Sequence, residues 1–277
     1  MIKVGFIGLG EQGKPLAINV ALAGFDLMVH DLRPEPVDEL VSNGARAARS
    51  AREVGAHGDI VEVIVVNDEQ LEEVVLSRDG VLAGAHPGSI IAIHSTVRPA
   101  TVRRIGDRAA AGGVSVLDAA VSGGARGARK RTMCYMVGGE KDALERCRPV
   151  FATSAGTIVH MGALGAGMTA KLAHQVILCL NMLAAHEGTE LARRAGLDAA
   201  ALGEAVHAGA AQSRIADRWA IARPSPQNGA LFYKDLALAF ELARELGIDL
   251  PAAALVQQRI GEILGEPGDA GSGGGAR

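Results

Sequence analysis

Three glycines placed directly behind a short apolar run constrain this chain more than any other feature. Residues 3–8 are strand-like, and Gly8-Leu9-Gly10-Glu11-Gln12-Gly13 follows at once and opens a helical segment at 15–23. In such a strand–turn–helix the first glycine permits the tight turn and the second lets backbone approach a pyrophosphate. The third lets helix and strand pack closely. Free N–H groups at the helix start then face the phosphates. About twenty residues on, Asp31 closes the next strand-like run, where an acid bonds a ribose 2′-hydroxyl. Other readings stand beside this one. The glycines can be purely structural, with Asp31 in an Asx-turn before Pro34, and methyltransferases also open with a glycine-rich turn. The two features in register favour a dinucleotide, with residues 8–13 and Asp31 as its contacts. Asp31 repels a 2′-phosphate and favours NAD, while Arg33 two residues later keeps NADP open.

Strand and helix patterns keep alternating up to Met161. Apolar, mostly β-branched runs lie at 25–31, 60–66, 89–95, 114–121, 134–137 and 157–161, with helical compositions such as 69–76 and 100–111 between them. Continuous apolar runs suit strands covered on both faces, so residues 1–161 are expected to form an α/β domain with a mainly parallel sheet. Beyond Met161 the strand pattern stops. A glycine-rich turn at 162–167 leads into one long helix over about 168–194, and further helical segments lie at 198–208, 212–222, 231–246 and 252–264. An all-α unit over 162–264 is expected, followed by a disordered, glycine-rich tail at 265–277.

Composition removes several classes of function. A net charge of -3 gives no reason to expect nucleic acid. Cys134, Cys147 and Cys179 lie far apart and form no metal-ligand pattern, which suits buried thiols in a reducing cytoplasm. No charged segment followed by a long apolar core succeeds Met1. The apolar stretch 176–185 is shorter than a bilayer span and is flanked by Lys171, His174, His186 and Glu187. It reads as a buried helix, and the chain as a soluble cytoplasmic protein without a membrane partner.

Three further stretches carry chemistry. Asp118-Ala119-Ala120-Val121-Ser122-Gly123-Gly124 ends a strand in a small-residue loop, and Gly165-Ala166-Gly167-Met168-Thr169-Ala170-Lys171 enters the long helix. Lys234-Asp235-Leu236-Ala237-Leu238-Ala239 opens a late one. With the glycine turn and Ser95-Thr96, these motifs resemble the β-hydroxyacid dehydrogenases, the 3-hydroxyisobutyrate dehydrogenase-like family. The likeness runs in the family's order from the first strand to Pro251. It implies a Rossmann-type doubly wound sheet, a long linking helix and an all-α domain that usually completes a dimer.

It also implies roles. Gly8, Gly10 and Gly13 cradle the pyrophosphate and Asp31 selects the ribose. Val66 and Asn67 pass the cofactor, and Thr96 lies near the nicotinamide. Ser122, Gly123 and Gly124 bind a substrate carboxylate, Lys171 is the general acid/base, and Gln175 helps hold the substrate. Lys234 closes over the cofactor, supported by Asp235. The expected reaction moves a hydride between NAD(H) and a small 3-hydroxy acid or its semialdehyde. That substrate is a small organic anion, and the assembly is a homodimer or homotetramer.

The residues make chemical sense of this. Oxidising an alcohol needs a base for the hydroxyl proton as the hydride leaves carbon. An ammonium beside Leu172 and a nicotinamide would be partly desolvated, which lowers its pKa toward neutrality. Lys171 and Gln175 are four apart, so one helical face presents both. A bland alternative exists for each position. Lys171 can be a solvated charge, Thr96 a cap before Pro99, Lys234-Asp235 a surface pair, and His174 a packed histidine. The chain also departs from the family's pattern, with Ala120 for a proline, Gln175 for an asparagine and Arg131 for a glycine. Arg126, Arg129, Lys130 and Arg131 make one stretch basic, either as a solvated helix end or as a site for a second anionic group. Competing readings are an imine reductase, which usually lacks this lysine, and a non-catalytic dinucleotide-binding protein. A 6-phosphogluconate dehydrogenase, suggested by Lys171 and His174, would need a longer C-terminal domain.

Overall fold

The computed structural model describes residues 2–219 and 223–265. Apart from Gly265, the tail expected to be disordered lies outside the described residues. So do 220–222 at the end of the segment read as a helix. The chain divides into two compact units, Met1–Lys171 and Leu172–Arg277.

The first unit is built on eight strands: β1 (Lys3–Ile7), β2 (Asp26–His30), β3 (Arg46–Ala47), β4 (Ile60–Val63), β5 (Ile90–Ile93), β6 (Ser115–Ser122), β7 (Met133–Gly138) and β8 (Ala155–Gly162). They form one sheet in the order β3-β2-β1-β4-β5-β6-β7-β8. The first six run parallel, and β7 turns antiparallel to β6 with Ser122 opposite Cys134. This is the doubly wound Rossmann order, with its reversal beside β1. The two-residue β3 carries no apolar run, so the sequence pattern does not reveal it. The antiparallel turn at β7 is likewise fixed by pairing and not by composition.

Helices α1 (Gly13–Leu22), α2 (Pro34–Ser42), α3 (Ala51–His57), α4 (Asp68–Leu76), α5 (Val81–Gly84), α6 (Pro99–Ala110), α7 (Gly124–Lys130) and α8 (Lys141–Phe151) connect the strands. β4 and β5 are buried along their whole length, as strands covered on both faces must be. Glu62, within β4, is the polar exception. Its Oε1 lies 3.2 Å from Nε2 of His94, whose Nδ1 donates to the Ala119 carbonyl at 2.7 Å. Burying a carboxylate costs free energy unless such partners are supplied.

Helix α9 (Ala166–Arg194) begins in the first unit and continues through the second. The second unit adds α10 (Ala199–Ala208), α11 (Ala216–Trp219), α12 (Gly229–Glu245), α13 (Pro251–Gln258) and α14 (Ile260–Leu264). Its core gathers Cys179, Met182, Trp219, Leu236, Val256 and Ile263.

Candidate active site

The glycine turn has the shape a pyrophosphate requires. Gly8 has φ +91°, and a Cβ there would run into the Ile64 carbonyl oxygen. A Cβ on Gly13 would strike the Gly8 carbonyl oxygen, so strand and helix meet at backbone distance. Beside Gly10 the space is open. Gln12, the N-cap of α1, supplies no side-chain hydrogen bond to the helix start. The Lys14 N–H donates to the Gly10 carbonyl at 3.0 Å and Pro15 has no N–H, so an anion in front of the turn would meet the backbone ahead of Lys14, and the residues present fit a dinucleotide.

Asp31 is joined to that turn. Its Oδ2 accepts the Leu9 N–H at 2.6 Å, and its Oδ1 accepts the Arg33 N–H at 2.9 Å and Arg33 Nε at 3.1 Å. The Arg33 guanidinium also donates to the Leu9 carbonyl at 3.2 Å. The Asx-turn is therefore formed, and the same carboxylate ties β2 to the glycine turn. Burial pushes its pKa up, but the hydrogen bonds from Arg33 and Leu9 outweigh that and hold it below the ordinary value. Arg33 sits across Asp31 and sets a positive charge beside its carboxylate and the glycine turn.

The loops after β4 and β5 are fastened together by the Val65 N–H, which donates to Ser95 Oγ at 2.7 Å. Val66 is 63% exposed there, and Asn67 caps α4 by accepting the Gln70 N–H at 2.9 Å. Thr96 is half-buried and is not the cap before Pro99; Arg98 occupies the N-cap of α6. Asp68, which no sequence signal singled out, binds that helix start through the Arg98 N–H at 3.0 Å and the Thr101 hydroxyl at 2.6 Å.

β6 ends at Ser122 and passes into Gly123 (φ +137°) and Gly124 (φ +60°), both exposed. A Cβ on Gly123 would press on Met133 Sδ, whereas the space beside Gly124 is open. The basic stretch follows in and after α7. Arg126, Arg129, Lys130 and Arg131 are exposed, and Arg131 holds φ +56°, the one positive φ outside glycine among the described residues.

Lys171 lies in the second turn of α9 and is 8% exposed, which removes the reading as a solvated charge. One turn along, Gln175 is also buried and donates its Nε2 to Asp235 Oδ2 at 2.6 Å. Its Oε1 lies 3.3 Å from His174 Nδ1. Asp235 is buried within α12, with Lys234 Nζ 3.1 Å from its Oδ1, so the pair is not a surface one. Sixty residues separate Gln175 from Asp235, and no local pattern announces their bond.

The comparisons with known proteins bear on the family and the fold. Residues 3–162 match the NAD binding domain of 6-phosphogluconate dehydrogenase, and residues 165–272 match the NAD-binding domain of NADP-dependent 3-hydroxyisobutyrate dehydrogenase. The chain is 37% identical to 2-hydroxy-3-oxopropionate reductase of Escherichia coli, over 93% of this chain and 89% of that one. It is 35% identical to the NAD-dependent L-serine dehydrogenase of Pseudomonas aeruginosa, over 92% of this chain and 90% of that one. The solved 3-hydroxyisobutyrate dehydrogenase of Mycobacterium tuberculosis with L-serine superposes with a TM-score of 0.82. It shares 30% identity and covers 95% of this chain and 93% of that one.

The chain belongs to the β-hydroxyacid dehydrogenase family. It is an NAD(P)-dependent oxidoreductase acting on a small organic substrate.

Proposed function

We propose that this protein interconverts a small 3-hydroxy acid and its semialdehyde or keto acid, with NAD(H) as the favoured dinucleotide and Lys171 as general acid/base. The observation that carries the reading is a lysine buried near the start of a helix. The helix dipole disfavours a cation there, and water is largely excluded. A bound nicotinamide supplies the hydride acceptor. The chain's own residues do the rest. Ser122 Oγ and the N–H groups of Gly123 and Gly124 bind the substrate carboxylate. Nζ of neutral Lys171 takes the hydroxyl proton as the carbonyl forms, and returns it in reduction. Gln175, its amide fixed by Asp235, holds the substrate, and Lys234 is a cofactor contact. The similar enzymes named for 2-hydroxy-3-oxopropionate and L-serine support a substrate with a carboxylate and an oxygen on the second carbon from it.

Lys171→Ala should lower kcat roughly a hundredfold or more with dinucleotide affinity nearly unchanged. Lys171→Arg should fail as well, because guanidinium does not release its proton near neutral pH. Near wild-type turnover in the alanine variant overturns the mechanism. A panel of 3-hydroxy acids with NAD, and of semialdehydes with NADH, identifies the substrate.

The working form is proposed to be a cytoplasmic homodimer or homotetramer joined through α9 and the C-terminal helices. α9 is long and apolar enough to cross a bilayer, and 33% of its most apolar stretch is buried within one chain. Ile177 (61% exposed) and Leu191 (73% exposed) present apolar surface that a second copy would cover. A stable monomer at micromolar concentration by light scattering overturns this, and so does binding to lipid vesicles in place of self-association.

A further inference from the structure

Asp118 lies in the middle of β6 and is fully buried, and the reaction described above gives it no task. A buried carboxylate without donors is costly, so its partners reveal what it holds. Its Oδ1 accepts the Gly165 N–H at 2.9 Å, and its Oδ2 accepts the Met168 N–H at 2.7 Å. These groups bracket the start of α9, where N–H groups have no partner within the helix. Both oxygens of one side chain are thus committed to the first turn of the helix that carries Lys171.

The surrounding backbone shows that this junction is built for close approach. A Cβ on Gly167 would run into the Asp118 and Met136 carbonyl oxygens, and one on Gly138 into Asp118 Oδ1. At Gly167 the first turn of α9 therefore meets the backbone of β6 and β7 directly, with the Asp118 carboxylate beside it. Met168 packs into the core alongside Val97, Val102 and Ala120. Lys171 follows Met168 by three residues, roughly one helical turn. Along β6 in the other direction, four residues beyond Asp118, Ser122 opens the carboxylate-binding loop.

We propose that Asp118 is a positioning residue for catalysis: by capping α9 on β6, its carboxylate sets where Lys171 stands relative to Ser122, Gly123 and Gly124. Asparagine is no substitute. It offers one acceptor where two N–H groups need one each, and its NH2 would face an N–H. Burial raises the Asp118 pKa above the ordinary value against the pull of the Gly165 and Met168 N–H groups, as expected of a carboxylate kept from water. The helix N-terminus partly offsets that cost.

The proposal rests on Lys171 being the proton-transferring group, and the test separates the two. Asp118→Asn, Lys171→Ala and the double variant are assayed for kcat, KM and dinucleotide affinity at a temperature where all are folded. Asp118→Asn should lose about tenfold or more in kcat, with dinucleotide affinity within about twofold of wild type. The double variant should be no slower than Lys171→Ala alone, because Asp118 acts through that amine. A merely structural role predicts instead a lowered melting temperature with kcat retained, or a double variant slowed by both factors; either overturns the proposal. If Lys171→Ala keeps its turnover, the mechanism it rests on fails first, and the assignment of Asp118 falls with it. Asp118→Ser, which keeps one acceptor in less space, serves in the same assays if the asparagine variant does not fold.

Discussion

The sheet unit places several glycines at backbone-to-backbone contacts, where most glycines of the helical unit meet open space. In the sheet unit, Gly8, Gly13, Gly138 and Gly167 lie where backbone meets backbone, and an added Cβ would strike a carbonyl oxygen or a carboxylate. In the helical unit, Gly188, Gly203 and Gly247 have nothing within 4 Å of the place a Cβ would take. Apolar surface differs in the same sense. Strands β4 and β5 of the first unit bury every branched side chain, whereas Ile177, Leu191, Leu197, Leu231 and Ile248 of the second stand exposed. The central strands of one unit are covered on both faces, while helices of the other keep apolar side chains in solvent. Close packing is a constraint that backbone geometry imposes at once, while an exposed helix face sets no such limit on a side chain.

The largest effect should come from removing the closeness. Gly13→Ala forces α1 from the Gly8 carbonyl, so it should cost about 1–3 kcal/mol of stability and more than about tenfold in dinucleotide affinity. Calorimetric titration with NAD checks it. Wild-type affinity would mean that helix and strand are not held at backbone distance, and the contrast between the units would fail.

Next in size is cofactor choice at the rim of the same turn. Arg33 covers Asp31 and reaches the Leu9 carbonyl, so Arg33→Ala should lower the NADP-to-NAD ratio of kcat/KM by roughly tenfold. Asp31→Ala should move the ratio the other way by weakening NAD. An enzyme that prefers NADP outright would show that Arg33 governs the site.

Arg131 is where the sheet unit carries strain. Its φ of +56° at the end of α7 suits glycine, so Arg131→Gly should leave stability unchanged or raise it by up to about 1 kcal/mol. A loss of stability would mean that the guanidinium makes a compensating contact. Measuring kcat/KM for mono- and dicarboxylate substrates in the same variant tests the basic stretch as a second anion site.

The smallest effect sharpens the contrast from the other side. Gly188→Ala, inside the C-terminal part of α9 with open space beside its Cα, should stabilise the protein by about 0.5–1 kcal/mol through helix propensity. Destabilisation, or a shift toward monomer, would place a second copy against this stretch.

Much of the fold could be read locally. Gly8–Gly13 and Asp31 announce the first strand–turn–helix because each glycine answers a steric demand a few residues away. Continuous apolar runs at β4 and β5 announce buried strands, and the unbroken helical composition after Gly167 announces α9. Lys171 was legible as well, since a lone cation in an apolar helix start already violates two local preferences. The sequence alone left β3, the reversal at β7 and every long-range polar partner unstated. Asp118 stood in view in a strand of small residues, yet its bonds to Gly165 and Met168 span 47 and 50 positions. Asp235 meets Gln175 across sixty, and Glu62 meets His94 across thirty-two. Periodicity and turn chemistry are fixed by neighbours along the chain, so sequence determined most of the elements and the glycine turn. A buried charge is satisfied only by whatever the completed packing brings to it, so which acid serves which helix was decided by the tertiary structure.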